Sequence, residues 1–255
     1  MLVCVECGNS VSSLYREQTH HNKRLTICPH CHQIADKYIE WETQIVLLDL
    51  ILNKHQAFRH ILFNRGKSHR MFREVLKFLT VIFAFDSFDR WYLNANPKAL
   101  PSSATVVASP VGVFTQWLLP HEHQWLILFT AVCETSVYIL TIFLCTRVYL
   151  WKYWGNHRYN NMGLISAIVL SCFSKMGVLL WMVWDARFHH RVGIELFTLL
   201  SNAVSVSVYI NAPPISKARI ISLQAGLIVA LAFAARTLFA WAVSQWQPAI
   251  YFSVF

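Results

Sequence analysis

Charged side chains are scarce. Asp, Glu, Lys and Arg make up 14% of 255 residues, while 55% are hydrophobic, against about a quarter charged in an ordinary soluble domain. One water-soluble core cannot absorb that much apolar surface. Also missing are a Ser-His-Asp set, a Gly-rich phosphate cradle, an HExxH pair and an acidic metal cluster, so no motif points to an enzyme. The start MLVCVECGNS has neither the cationic opening nor the apolar run of a secretory leader, which predicts an N-terminal domain that stays in the cytosol. The net charge of +9 forms no basic stripe. Nucleic acid is therefore not expected as a partner, and loops facing an anionic leaflet account for the charge.

What charge there is falls unevenly. Residues 1–73 carry ten of the 22 Lys and Arg and six of the 13 Asp and Glu, whereas residues 122–255 contain long stretches with one charge or none. The cysteines divide in the same way. Cys4, Cys7, Cys28 and Cys31 lie in the polar head, and Cys133, Cys145 and Cys172 in the apolar body. The head carries two CxxC pairs separated by twenty residues, the spacing of a four-cysteine zinc site. A two-residue gap lets each turn aim two thiolates at one ion, and two such turns complete a tetrahedron with no position left for water.

Gly8, just after the first pair, suits a positive φ. Strands are expected around Ser13–Arg16 and Arg24–Ile27, joined by a turn at His20–Lys23, which together make a zinc ribbon over residues 1–40. So small a unit needs the metal to fold. Zn is thus the expected cofactor, in a structural role. A redox CxxC or a pair of disulfides competes with this reading, but each needs an oxidising compartment or a thioredoxin-like context. His30 and His32 flank the last cysteine and are expected to face solvent.

Residues 41–64 read as an amphipathic helix. Leu47, Ile51, Phe58 and Leu62 recur at helical spacing, while Asp49, Asn53, Gln56, His60 and Asn64 trace another face. Such a helix either lies on a membrane surface or covers the ribbon.

In order along the chain, CVECG, RLTICPHC, ADKYIEW and QAFRHILFN resemble the Arv homology domain, over residues 3–64. Trp41 departs from the Tyr usual in that family, but an aromatic is kept. The resemblance implies a multi-pass resident of the endoplasmic-reticulum membrane. It also implies a function in sterol distribution, sphingolipid balance and delivery of glycosylphosphatidylinositol-anchor intermediates. Membrane lipids, and the biosynthetic enzymes that use them, would be the partners. Whether such a protein moves lipid or organises enzymes stays open.

Residues 65–255 are expected to form an all-α membrane domain of three to five transmembrane helices. Three spans are long and apolar: 124–146 and 163–184 with one charge each, and 220–246 with a single Arg. Two weaker segments, 75–93 and 193–210, either span or lie at the interface. Trp91, Trp125, Trp151, Trp154, Trp181, Trp184 and Trp246 fall near the proposed ends. An odd number of crossings follows if the 147–162 loop and Lys217 with Arg219 share the cytosolic side with the ribbon; Arg187 and Arg191 argue against that orientation.

Gly226, Ala230 and Ala234 repeat every four residues, either as a helix-packing face or as an ordinary Ala-rich helix. Glu134 and Lys175 reach similar depth if their helices are antiparallel, and pairing would offset the cost of two charges in the bilayer. Such a pair lines a polar path for a lipid headgroup or clamps two helices; alternatively, each group neutralises alone. His157, His189 and His190 keep a lipid-modifying enzyme in view. A membrane-tethered zinc-ribbon module that docks other proteins is the third reading.

Overall fold

The computed structural model describes residues 2–19, 22–65, 68–95, 124–154, 160–177, 188–211 and 218–246. Residues 178–184 at the end of the expected 163–184 span lie outside them, as do His121, His123, His157, Arg187 and the side chains of His189, His190 and Arg191. So do Lys217, the side chain of Arg219, and those of the boundary tryptophans other than Trp151.

The head is built from two short antiparallel pairs: β1 (Leu2–Val3) with β2 (Ser10–Val11), and β3 (Tyr15–Thr19) with β4 (Asn22–Leu25). The expected hairpin is present but displaced along the chain. Its pairing runs from Tyr15↔Leu25 to Thr19↔Asn22, with a register shift between Glu17 and Thr19. Thr26 still donates its N–H to Leu14 O, but Ile27 leaves the hairpin to pair with Ile34 and close the second cysteine turn.

The single amphipathic helix expected over 41–64 is two elements. A 3-10 turn, Lys37–Ile39, is capped by Asp36, and α1 (Thr43–Ile51) follows. The chain then reverses at Asn53, whose φ of 53° is a left-handed conformation that Asn tolerates better than most residues. The N–H groups of Asn53 and Lys54 donate to Leu50 O and Asp49 O and finish the helix. Next, α2 (His55–Arg59) runs on as a π turn, His60–Asn64.

Among the described residues, the body has five helices: α3 (Ser68–Ala95), α4 (Gln124–Trp154), α5 (Asn161–Ser171), α6 (Phe188–Ile210) and α7 (Ala218–Trp246). They form a ring of neighbours in the order α4, α7, α6, α5, α3 and back to α4. Three of them are long and apolar enough to cross a membrane: Leu128–Tyr153 in α4, Val192–Ile210 in α6 and Ile221–Val243 in α7. The weaker expected segment 193–210 therefore joins the spanning set, its serines and Asn turned inward. Helix α3 has the length, but Lys77, Asp86, Asp89 and Arg90 interrupt its apolar run.

The expected 163–184 span is not one α-helix. It tightens at Cys172 into a 3-10 stretch, Cys172–Gly177, where Ser171 donates its hydroxyl back to Ile168 O. That tightening delivers Ser174 to Thr198 and Lys175 to Asp86.

Head and body share one core. Leu50, Phe58 and Leu62 belong to the same buried apolar group as Ile82, Tyr138, Ile142, Ile168 and Tyr209. Phe63 stacks on Tyr209 with ring centroids 6.1 Å apart, and α2 packs on α6. Ala230 and Ala234 in the Gly226–Ala230–Ala234 row of α7 are exposed, and among the described residues a Cβ added at Gly226 would touch nothing within 4 Å.

Candidate functional site

The two cysteine turns are copies of one another. Cys4 N donates to Asn9 O at 2.8 Å, and Cys28 N to Gln33 O at 2.8 Å; Gly8 N reaches Cys4 O at 2.9 Å, and His32 N reaches Cys28 O at 3.0 Å. Each turn then needs a left-handed residue directly after its second cysteine, Gly8 with φ 83° and His32 with φ 58°. The sequence announced the first of these. His32 carries the second as a non-glycine residue, consistent with its expected place outside the ligand set.

All four Sγ atoms lie within 4.8 Å of one another, with Cys4–Cys31 at 3.8 Å and Cys7–Cys28 at 3.7 Å. A tetrahedron of thiolates held at the zinc–sulfur bond length of about 2.3 Å has an edge of about 3.8 Å. A disulfide would bring two sulfurs to about 2.0 Å, and all four thiols are free. The donor set therefore fits a single tetrahedral metal ion.

The local electrostatics favour an ion as well. Burial pushes the Cys4 thiol up to about 12. Burial also acts upward on Cys28, but the backbone N–H groups of Cys31 and His30, with the neighbouring thiols, hold it at about 7. Burial raises the Cys7 thiol too, so Cys28 forms a thiolate easily whereas Cys4 and Cys7 need a positive charge beside them.

Residues of the two signature runs clamp this site to the helices. Arg59 donates from Nη1 to Val5 O at 2.8 Å and to Glu6 O at 2.7 Å, the carbonyls inside the first CxxC turn. Its guanidinium lies so close to Gly8 that a Cβ there would meet Arg59 Cζ at 3.3 Å. Glycine is therefore fixed at position 8 both by φ and by space.

Asp36 is fully buried: one oxygen caps Tyr38 N, while the other lies 2.8 Å from His60 Nδ1 and accepts from Asn64 Nδ2 at 2.6 Å. Asn64 also closes two bonds on Val3, accepting from its N–H and donating to its C=O, each at 2.9 Å. The Tyr38 hydroxyl donates to Asp49 Oδ2 at 2.8 Å, and Lys54 reaches Asp49 Oδ1 at 2.6 Å. Periodicity put Asp49, His60 and Asn64 on one polar face without revealing that it turns inward. The place of Asp36 and Tyr38 in the DKYIE run, and of His60 and Asn64 in QAFRHILFN, was the only signal of these contacts; Asp49 lies in neither run.

A second polar centre lies inside the helical body. Glu134 and Lys175, expected to pair, are both buried there, and the ion pairs described join Lys175 to Asp86 and Arg236 to Glu134. Lys175 Nζ lies 2.8 and 2.7 Å from the two oxygens of Asp86, and Thr135 donates to the same carboxylate. Arg236 makes a two-pronged contact with Glu195 at 3.0 and 3.2 Å, and its Nε lies 3.8 Å from Glu134.

The depth argument was sound for each residue alone. It missed Asp86 because α3 was weakly apolar, and Arg236 because it was counted only as the lone charge of its span. Around the charges lie Ser171, Ser174, Thr198 and Asn202, linked among themselves. The buried hydroxyls of Tyr138 and Ser201 find no partner among the described residues.

Helices able to cross a bilayer, a polar centre between them and a four-cysteine head define a membrane protein with a candidate metal-binding domain. A family model, the Arv1-like family, matches residues 3–206. The chain belongs to the Arv1-like family. It is 37% identical over 218 residues to Protein arv1 homolog of Dictyostelium discoideum, covering 82% of this chain and 85% of that one. It is 40% identical over 211 residues to Protein ARV 2 of Arabidopsis thaliana, covering 80% and 82%. To Protein ARV1 of Homo sapiens it is 26% identical over 215 residues, covering 82% and 72%. No solved structure matches.

Proposed function

We propose that this protein handles lipid in the endoplasmic-reticulum membrane without being an enzyme. It supports sterol distribution, sphingolipid balance and delivery of glycosylphosphatidylinositol-anchor intermediates, either by moving lipid or by organising the enzymes that use it. The observation that carries the reading is the ionic centre of Asp86, Glu134, Lys175, Glu195 and Arg236, with unpartnered hydroxyls at Tyr138 and Ser201 beside it. Charges are costly between membrane helices and tend to mark a path or seat for a polar group. A headgroup with hydroxyls and a phosphate matches that mixture of cations, acids and hydroxyls.

The head is a cytosolic zinc ribbon. Cys4, Cys7, Cys28 and Cys31 would hold Zn as four thiolates, which leaves it a structural ion and no Lewis-acid site. Bound, it supplies the folding energy that so small a unit lacks. Its exposed face is then free to dock lipid-biosynthetic enzymes.

Purified protein in liposomes tests the reading. Transbilayer movement of a labelled sterol or glycolipid that is lost with Lys175→Met supports a transporter. No movement, together with co-purification of lipid-biosynthetic enzymes that requires the intact head, supports a scaffold. Turnover of a lipid substrate by the pure protein would overturn both in favour of an enzyme.

A further inference from the structure

The geometry points to α1 as a helix that lies in the bilayer surface, its outer face dissolved in lipid beside one end of the helical body. A helix facing water hides its apolar side chains and shows its acids. Helix α1 buries Val46 and Leu50, but its outer face does the reverse. It buries Asp49 against Tyr38 and Lys54, and turns Ile45, Leu47, Leu48, Ile51 and Leu52 outward, Leu48 being 56% and Leu52 59% exposed. Trp41, also exposed, extends the patch at the near end. Contiguous apolar surface of this kind needs a covering.

The position of α1 says what that covering is. Its inner face is anchored through Leu50 to the core that holds Phe58 and Leu62, and Phe63 of the following turn stacks on Tyr209 near the end of α6. The Tyr209 hydroxyl donates to Asn160 O at the start of α5. At that same end of the body, α4 finishes with Trp151, 70% exposed, then Lys152 and the exposed Tyr153. Aromatics and lysine in that arrangement mark the level where hydrocarbon meets headgroups. Two cations border the patch, each also paired with a carboxylate: Lys54, just beyond α1, with Asp49, and Lys37 with Glu6, its ammonium 5.3 Å from the Trp41 ring centroid. Both suit an anionic leaflet. The occupant is thus the acyl-chain and headgroup boundary of the membrane in which this chain itself resides.

The full-length protein in nanodiscs of phosphatidylcholine and phosphatidylserine provides the test. The photoreactive amino acid p-benzoylphenylalanine replaces, in separate proteins, Leu48, Ile51 or, in the ribbon, the exposed Ser13. The probe is apolar and each position faces outward, so the fold tolerates it. After irradiation, peptides carrying the probe at Leu48 or Ile51 should show phospholipid adducts several-fold above those at Ser13. Adding Leu48→Asp to the protein that carries the probe at Ile51 should reduce them. Lipid adducts no more frequent than at Ser13 would overturn the inference. So would cross-links from these two positions to a second copy or to another segment of the same chain. The inference depends neither on the identity of the metal nor on that of any transported lipid.

Discussion

Replacing Lys175 with methionine should leave Asp86 buried with its main counter-charge gone. The pair is close and dry: Nζ lies 2.7 Å from Asp86 Oδ2, and the two side chains are only 6% and 14% exposed. At an effective dielectric of about 20, two unit charges near 3 Å attract by roughly 6 kcal/mol, much of it offset by the cost of removing both from water. Breaking one side of such a pair typically costs about 3–5 kcal/mol, whereas replacing both partners by apolar groups is often close to neutral. At roughly 2–4 °C per kcal/mol, K175M should lower the melting temperature in detergent by on the order of 10 °C. The double substitution K175M with D86L should recover most of that loss.

Size-exclusion after heating measures it across a four-protein cycle, repeated with E134Q in place of D86L. Coupling to Asp86, whose two oxygens lie 2.8 and 2.7 Å from Lys175 Nζ, should exceed coupling to Glu134. If K175M/D86L is no better than the worse single, or Glu134 couples to Lys175 more strongly than Asp86 does, the assigned pairing is wrong.

Cys28→Ser should abolish stoichiometric metal in the purified protein while the helical body still inserts, as read by elemental analysis beside alkaline extraction of membranes. Asn64→Ala strands the N–H and C=O of Val3 and one bond of Asp36, each about 1–3 kcal/mol when buried. It should raise hydrogen exchange over β1 and speed metal release to a chelator, with Cys4–Cys31 contact otherwise intact. For Asp49, burial pulls the carboxyl upward, but Lys54 and the Tyr38 hydroxyl outweigh it and hold it below the usual carboxylate range. Its contribution is therefore complete above the unfolded value of about 3.9 and lost as pH falls through the lower folded value. Protection factors of α1 should drop between pH 5 and pH 3, and Asp49→Asn should flatten that dependence.

The head was legible in the sequence because its chemistry is local. Two CxxC spacings and Gly8 state the cysteine turns within a few residues each, and the structure brings those four sulfurs together. The apolar stretches 124–146 and 220–246 were equally plain, since length and hydropathy are one-dimensional properties. What failed depended on partners far along the chain.

The 163–184 segment looks uniformly helical by composition, but Ser171 bonds its own backbone and Lys175 reaches α3, and those two demands tighten the helix at Cys172. The 41–64 pattern could not show Asn53 entering a left-handed turn. Nor could it show which face turns inward, because Asp49, His60 and Asn64 are polar for the sake of Tyr38, Asp36 and Val3, not of water. Depth suggested Glu134 and Lys175 but could not name Asp86 or Arg236, for the same reason: depth fixes a level, and azimuth around the ring of helices chooses the neighbour.

Asn64 fastens Val3 across 61 residues, and the first long helix begins only at Ser68. Every strand, thiol and clasp of the head has therefore been synthesised before the ribosome adds the first residue of α3. Gathering of the four thiols is in this way separable in time from synthesis of the long helices. A nascent chain halted shortly after that point, once clear of the ribosome, would already carry the cysteine turns and their clasps, with Leu50, Phe58 and Leu62 still waiting for the body they pack against.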